Sequence, residues 1–141
     1  MQAKLLALLV TSILVFSSCD GAPVIVFLNN SGRTLNIHAE NKNYRLEKSG
    51  VLEITYPATQ KFTIANTDEG ELWEYEVSYP PKEYMPSRGM NLGVIRCQIE
   101  ANGEIYILTP EVSAPVKELS PQPKGFPLVP KQRTQSNKHS G

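Results

Sequence analysis

The sequence predicts an all-β protein, a small antiparallel β-sandwich or barrel of about eight short strands. Apolar and polar residues alternate in short runs, and no helical period appears after Pro23. Turn signals separate the runs roughly every ten residues, and this spacing is typical of sandwiches and small barrels. The alternation and the turns together therefore indicate the fold class.

The predicted strands follow one another along the chain. Residues 24–28 form a continuous apolar run, typical of a strand buried on both faces. After the turn at residues 29–32, the alternating run 33–40 predicts a hairpin with the first strand. Asn102-Gly103 predicts a second hairpin, because this pair accepts the positive φ angles of tight turns. The other predicted strands lie within residues 44–46, 52–56, 61–66, 71–79, 92–100 and 104–109.

The end of the chain has a different composition. Six of the eleven prolines lie in residues 110–141, and the last dozen residues are almost wholly polar. Such a segment buries too little apolar surface to offset the entropy lost on ordering. The sequence therefore predicts a β domain at residues 24–109 and a disordered, proline-rich tail at residues 110–141, with polyproline II bias.

Charge is balanced over the chain, with 14 basic and 14 acidic side chains, so no basic excess points to nucleic acid. The balance differs along the chain. Residues 20–109 hold 8 basic and 12 acidic side chains, and residues 110–141 hold 5 and 2. The basic tail is either simply solvated or able to contact an anionic surface.

Residues 1–18 have the layout of an export signal. A short positive start with Lys4 precedes an apolar run at residues 5–16, and two serines follow it. A membrane-spanning helix needs about 20 apolar residues, so this run is short for one and suits a cleaved signal peptide.

Cys19 stands directly after the two serines, and residues 14–19 resemble the lipobox of bacterial lipoprotein precursors, with Phe16 where leucine is usual. The resemblance implies that Cys19 becomes the first mature residue and carries a diacylglyceryl thioether and an amide-linked acyl chain. Two or more acyl chains give a stable membrane anchor. Residues 19–23 would form a tether that spans at most about 14 Å. The alternative is ordinary secretion with cleavage after Ala22.

The resemblance also implies a location in the cell envelope, facing the periplasm or the exterior. By resemblance to enterobacterial lipoproteins, Asp20 directly after the cysteine implies retention at the inner membrane. The sequence alone leaves open whether the inner or the outer membrane holds the protein. With Cys19 acylated, no intramolecular disulfide can form, because Cys97 is the one remaining cysteine. Cys97 alternates with isoleucines and is expected to be a small buried hydrophobe.

No catalytic apparatus is predicted. His38 lies on the polar face of a strand and is expected to be solvated, and His139 lies in the predicted tail. The chain has no nucleophile motif or phosphate-binding glycine loop, and its histidines and cysteines lack zinc-site spacing, so neither a metal nor a cofactor is expected. Glu74 and Glu76 share one strand face at about 7 Å, which leaves a carboxylate-based hydrolase as a remote alternative.

The longest irregular connection, residues 80–91, is the candidate contact surface. It and its border supply residue types enriched at interface hot spots. These candidates are Tyr79, Tyr84, Met85, Arg88 and Met90. The alternative is that Tyr84 and Met85 fold back and cap an open end of the β core.

These observations predict a lipid-anchored envelope protein whose β domain is a binding or interaction module and not an enzyme. Its expected partners are the membrane, through the N-terminal lipid, and an unidentified envelope protein or cell-wall component. The main alternative is a structural or assembly tether that works through the C-terminal tail.

Overall fold

The computed structural model describes residues 22–88 and 93–135 and confirms the all-β prediction. Nine strands form two sheets that pack face to face around one core. The predicted signal peptide, Cys19, Met90 and residues 136–141 lie outside the described residues. The strands are β1 Val24–Asn30, β2 Leu35–Ala39, β3 Lys42–Leu46, β4 Val51–Thr55, β5 Lys61–Asn66, β6 Glu71–Glu76, β7 Val94–Glu100, β8 Ile105–Ile107 and β9 Gln132–Gln135.

The order of the strands is β4-β1-β7-β8 in one sheet and β3-β2-β5-β6-β9 in the other. All neighbours are antiparallel except β1 and β7, which run parallel. The predicted hairpin between the first two strands is wrong, because β1 and β2 belong to different sheets. The first strand lies between β4 and β7, and both of its faces are buried, because Ile25 and Phe27 belong to the core while Val24 and Val26 belong to a second apolar cluster.

The chain crosses from one sheet to the other at Asn29, which is completely buried. Its side-chain amide donates hydrogen bonds to the carbonyl oxygens of Arg33 at 2.7 Å and Glu47 at 3.0 Å. Its Oδ1 accepts from the backbone N–H of Ser31 at 3.0 Å and from the Ser31 hydroxyl at 2.6 Å. Buried polar groups are stable only when they are paired in this way. The residues predicted as a hairpin turn therefore form a hydrogen-bonded crossing between the sheets.

The alternation read from the sequence correctly gives the inward faces of most strands. Phe27 of one sheet meets Phe62 of the other with ring centroids 5.6 Å apart, and Phe62 stacks on Tyr75 at 4.9 Å. Aromatic contacts of this kind add to the stability that apolar burial provides. The largest completely or almost completely buried apolar side chains are Trp73, Phe27, Ile25, Leu28, Leu35, Ile37, Leu46, Ile64, Ile95, Ile99 and Ile105.

The predicted hairpin at Asn102-Gly103 is confirmed, because it joins β7 to β8. Gly103 has a φ of +84°, and a Cβ atom there would lie 3.1 Å from the ring of Trp73. Its carbonyl oxygen accepts a 2.6 Å hydrogen bond from the hydroxyl of Tyr75. Glycine is therefore required at this turn both by backbone conformation and by close packing on the opposite sheet.

Residues 110–135 differ from the predicted disordered tail. Phe126 and Leu128 are buried in the core, and β9 pairs with β6 in antiparallel register. The composition does not indicate this ordered structure, because the segment is rich in proline and places only two large apolar side chains in the core. The prediction of disorder is wrong for residues 110–135.

Two glutamine side chains replace peptide groups where this segment crosses the four-stranded sheet. The buried amide of Gln98 donates to the carbonyl oxygen of Val116 at 2.9 Å and accepts from its N–H at 2.8 Å. Gln122 makes the same pair of bonds with Ile107, at 3.1 Å and 2.8 Å. Leu128 exchanges two backbone hydrogen bonds with Ile105, at 2.8 Å and 2.9 Å. The outer edge of β8 is thus closed, which removes an unpaired strand edge.

A truncated chain that ends at Thr109 tests this closure. Loss of Phe126 and Leu128 removes about 1.5–3 kcal/mol of burial for each side chain and reopens the β8 edge. We expect the free energy of unfolding in urea to fall by at least about 3 kcal/mol. A chain that ends at Gln135 is the control, because it keeps every described contact of residues 110–135, and it should be clearly more stable than the Thr109 truncation. Equal stability of the Thr109 truncation and the control would contradict the closure.

Candidate functional site

The residues predicted as a contact surface lie in different environments. Tyr84 and Met85 are partly buried and pack against the core, as the capping alternative predicted. The guanidinium of Arg88 pairs with the Glu53 carboxylate at 2.7 Å. Tyr79 is 54% exposed and stacks on Tyr56, with ring centroids 4.5 Å apart. Of the four described candidates, only Tyr79 and Arg88 are therefore exposed.

Cys97 lies in the core, as predicted, with 2% of its surface exposed. Burial raises the pKa of its thiol from 9.0 to about 12, because the charged thiolate is poorly solvated there. The thiol is therefore neutral at physiological pH, and Cys97 is a structural residue rather than a nucleophile.

The outer faces of the two sheets differ in how the chain covers them. The four-stranded sheet carries residues 110–125 on its outer side, where Gln98 and Leu28 are completely buried. On the same sheet Val24, Val26 and Val94 form a second apolar cluster. On the outer face of the five-stranded sheet, His38, Glu76 and Thr134 are exposed. Within the described ranges, the second face is therefore the one open to a partner.

A row of polar side chains crosses that open face. The register places His38 beside Asn43 on one side and beside Thr63 on the other, and Thr63 beside Glu74. The row ends on β9, where Gln132 lies opposite Glu74. Neighbouring strands are about 4.8 Å apart, so the five residues span about 19 Å. The row crosses five strands, and two of its neighbouring pairs, β2 with β5 and β6 with β9, are far apart in the sequence.

A cleft of about 520 Å³ lies over the middle of this row. We call it the polar groove, and the polar side chains that line it include those of His38, Glu40, Asn41, Thr59, Lys61, Thr63 and Glu74. A smaller cleft beside it shares Lys61 and Glu74 and adds Glu76 and Lys131. The volume is within the range of about 300–1,000 Å³ that is common for ligand pockets.

The rim of the polar groove contains residues in the left-handed region of backbone conformation. Glu40, Asn41 and Gln60 have φ values of 51°, 62° and 57°. Glutamate and glutamine rarely adopt this conformation, which costs about 1–2 kcal/mol per residue. The Glu40 carboxylate accepts a hydrogen bond from the backbone N–H of Thr59 at 3.1 Å, which ties the two rim turns together. Glu40 and Asn41 form the two-residue turn between β2 and β3, and tight hairpin turns of this length require positive φ at both positions.

The polar groove offers charges of both signs. Three ion pairs occur in the part of the chain that the structure describes, and none involves Lys61, Glu74 or Glu76. The Nδ1 atom of His38 lies 2.8 Å from the Asn43 amide oxygen and donates to it, which leaves Nε2 available to a ligand. This arrangement suits a polar molecule that carries hydroxyl groups or both charge signs.

Across residues 22–88 and 93–135, no three His, Cys, Asp or Glu side chains are close enough together to hold a metal ion. No helix in these ranges has the length and apolar character needed to cross a membrane. Compared with known proteins, the chain matches no family model, no curated protein and no solved structure.

The sequence predicts the exposure of some polar-groove residues but not that these residues lie next to one another. The alternation of polar and apolar residues places His38 on a polar strand face and places Glu74 and Glu76 on one shared face. It gave no role to Lys61 or Thr63, because the order of strands across a sheet does not appear in the alternation of one strand. A pattern of outward polar residues on several strands is the signal that was present in the sequence.

The ionisation of Cys97 predicts a loss of stability at alkaline pH. The unfolded thiol ionises near pH 9 and the folded thiol near pH 12, so the folded state keeps its proton while the unfolded state loses it. The stabilising contribution is complete below about pH 8, and about 2 kcal/mol of it is lost by about pH 10.5. Urea unfolding at several pH values measures this fall.

Cys97→Ala is the matched variant for that experiment. It should be less stable at every pH because it leaves a cavity, but its free energy of unfolding should fall less steeply above pH 9. Burial also raises the pKa of Tyr56 to about 12, and both proteins share this cause, although the smaller contribution that Cys97 makes to the Tyr56 pKa is lost in Cys97→Ala. Parallel curves for the two proteins would show that Cys97 does not cause the fall.

Proposed function

We propose that the protein is a lipid-anchored component of a bacterial cell envelope, whose β-sandwich binds a polar partner in the polar groove. The partner is an envelope protein or a cell-wall component with hydroxyl groups or both charge signs. Binding, not catalysis, is the proposed activity.

The observation that carries the proposed binding is the uncovered row of polar side chains from Asn43 to Gln132. An outer sheet face needs polar residues for solubility alone. The polar groove differs from an ordinary solvated face, because Lys61 and Glu74 lack ion-pair partners among the described residues and a cleft of about 520 Å³ lies over the row. Side chains placed in this way gain hydrogen bonds and charge contacts when a polar ligand replaces water.

The anchor is supported by the sequence and by where the folded domain begins. The lipobox resemblance ends at Cys19, and β1 begins at Val24. The intervening residues span at most about 14 Å, so an acylated Cys19 would hold the sandwich beside the bilayer. A partner of the polar groove would then be met at the membrane surface.

The two alternative functions have less support. A tether through the C-terminal tail would need free chain, yet residues 110–135 cover the four-stranded sheet and fill part of the core. A hydrolase using Glu74 and Glu76 would need two carboxylates in distinct environments. Both side chains point outward from one strand, and Glu76 is exposed.

The anchor is tested by labelling cells with a fatty acid analogue and comparing the natural chain with Cys19→Ala. We expect the natural protein to carry the label and to fractionate with membranes, because two or more acyl chains anchor stably. Cys19→Ala should lose both properties. Retention of the label by Cys19→Ala would contradict lipid attachment at this residue.

The binding groove is tested by placing a photo-crosslinking residue at Thr63, in the centre of the groove, in intact envelopes. We expect an adduct that weakens by about tenfold when Lys61→Ala and Glu74→Gln are added, because each removes a charged contact. Ser113, which is exposed on the segment that covers the other sheet, is the control position.

The outcomes of this crosslinking experiment are distinct. An adduct at Thr63 that depends on Lys61 and Glu74, with none at Ser113, supports the groove. An adduct that is insensitive to both substitutions, or equally strong at Ser113, contradicts it. Hydrolysis of envelope material that is abolished by Glu74→Gln with Glu76→Gln would favour the enzymatic alternative instead.

A further inference from the structure

The beginning of the described chain is fixed to one end of the sandwich. The carbonyl oxygen of Pro23 accepts a 2.7 Å hydrogen bond from the backbone N–H of Tyr56, which follows β4. Ala22 shares a cleft with Tyr56 and with the exposed residue Ala58. We call this region, made of Ala22, Pro23, Tyr56, Ala58 and Tyr79, the anchor-proximal end.

Tyr79 is held outward at the anchor-proximal end by Tyr56. The Tyr56 ring is almost completely buried, and its hydroxyl donates to the carbonyl oxygen of Val77 at 3.1 Å. Tyr79 stacks on that ring with the planes 11° apart, so its aromatic face is fixed while 54% of its surface stays exposed. The other large apolar side chains exposed in the described ranges are Val51 and Val129, which are aliphatic.

The distance from the lipid attachment site restricts where this end can lie. From Cys19 to Pro23 the chain advances four residues and reaches at most about 14 Å. Pro23 is hydrogen-bonded to Tyr56, and Tyr56 stacks on Tyr79. A tether of this length from an acylated Cys19 therefore allows the exposed tyrosine to reach the lipid headgroups.

We propose that Tyr79, supported by Tyr56, inserts into the headgroup region of a phospholipid bilayer, so that the sandwich stands on the membrane with its anchor-proximal end down. This inference rests on the lipid anchor of the proposed function. Tyrosine suits the position because its ring is apolar and its hydroxyl remains hydrated, which is why tyrosine is enriched at membrane interfaces. The acyl chains supply the affinity for the membrane, and the Tyr79 contact fixes the orientation of the sandwich on it.

The test uses the protein as the cell produces it from the full sequence, purified and mixed with phosphatidylcholine–phosphatidylethanolamine vesicles, with or without bromine on the acyl chains. Bromine quenches tryptophan fluorescence at short range. The native Trp73 is buried in the core and gives the background. Tyr79→Trp places a reporter at the anchor-proximal end, and Ala58→Trp provides a second one there. Val51→Trp is the matched control.

Val51 suits the control because it lies at the far end of the same strand that leads to Tyr56. It pairs with Leu28, whereas Thr55 pairs with Val24, so Val51 lies about 13 Å further from the anchor-proximal end. Its side chain is 59% exposed, which is similar to that of Tyr79. The two reporters therefore differ mainly in their distance from the attachment site.

We expect brominated lipid to reduce the fluorescence of the added tryptophan about twofold in Tyr79→Trp and clearly in Ala58→Trp, because interfacial side chains reach about 5–10 Å into the boundary. Val51→Trp and the natural chain should be unaffected. A tryptophan substitution that destabilises the domain is recognised by a lowered urea midpoint of unfolding. In that case the quenching of the other substituted tryptophan tests the orientation.

Two failures are distinguishable. If the natural chain does not float with the vesicles, lipid anchoring is wrong and the orientation falls with it. If the chain floats but Tyr79→Trp and Ala58→Trp are not quenched, or Val51→Trp is quenched as strongly, the anchor stands and the proposed orientation is overturned.

Discussion

The sandwich depends on hydrogen bonds that two glutamine side chains make in place of peptide groups. Gln98 and Gln122 each give one donor and one acceptor to a backbone residue, Val116 and Ile107. These bonds hold a segment with few apolar side chains against the four-stranded sheet. The segment then carries Phe126 and Leu128 into the core and continues as β9 on the opposite sheet. One stretch of chain thus joins both sheets along one side.

This closure makes the two outer faces unequal. The covered face buries Gln98 and Leu28 completely, whereas the other keeps a row of polar side chains in contact with solvent. A two-sheet protein of this size needs at least one wetted face, and here that face also contains a cleft of about 520 Å³. The polar groove is therefore left open because residues 110–125 pack against the other sheet. It is bordered by the turns at Glu40 and Gln60, whose backbone conformations are maintained by the surrounding fold.

The polar groove and the anchor-proximal end are neighbours in the structure. Glu40 lines the groove and also lines the cleft that contains Ala22 and Tyr56. Its carboxylate binds the backbone of Thr59, in the loop that follows Tyr56. In the proposed orientation the groove would open close to the bilayer, where the proposed partner would be another anchored protein or material next to the membrane. The short tether between Cys19 and Val24 would limit the search to that layer.

The sequence by itself determined eight of the nine strands, the burial of Cys97 and the outward positions of His38, Glu74 and Glu76, because alternation within a strand reports which side chains face the core. It also carried the lipobox resemblance at Cys19, which is local in the chain. It failed for the first hairpin and for residues 110–135, since pairing between strands is a property of the whole chain. A segment that is ordered by Gln98, Gln122 and two buried side chains has no period of its own. Tertiary structure alone decided that His38 lies beside Thr63 and Gln132 beside Glu74, because register brings together strands that are distant in the sequence.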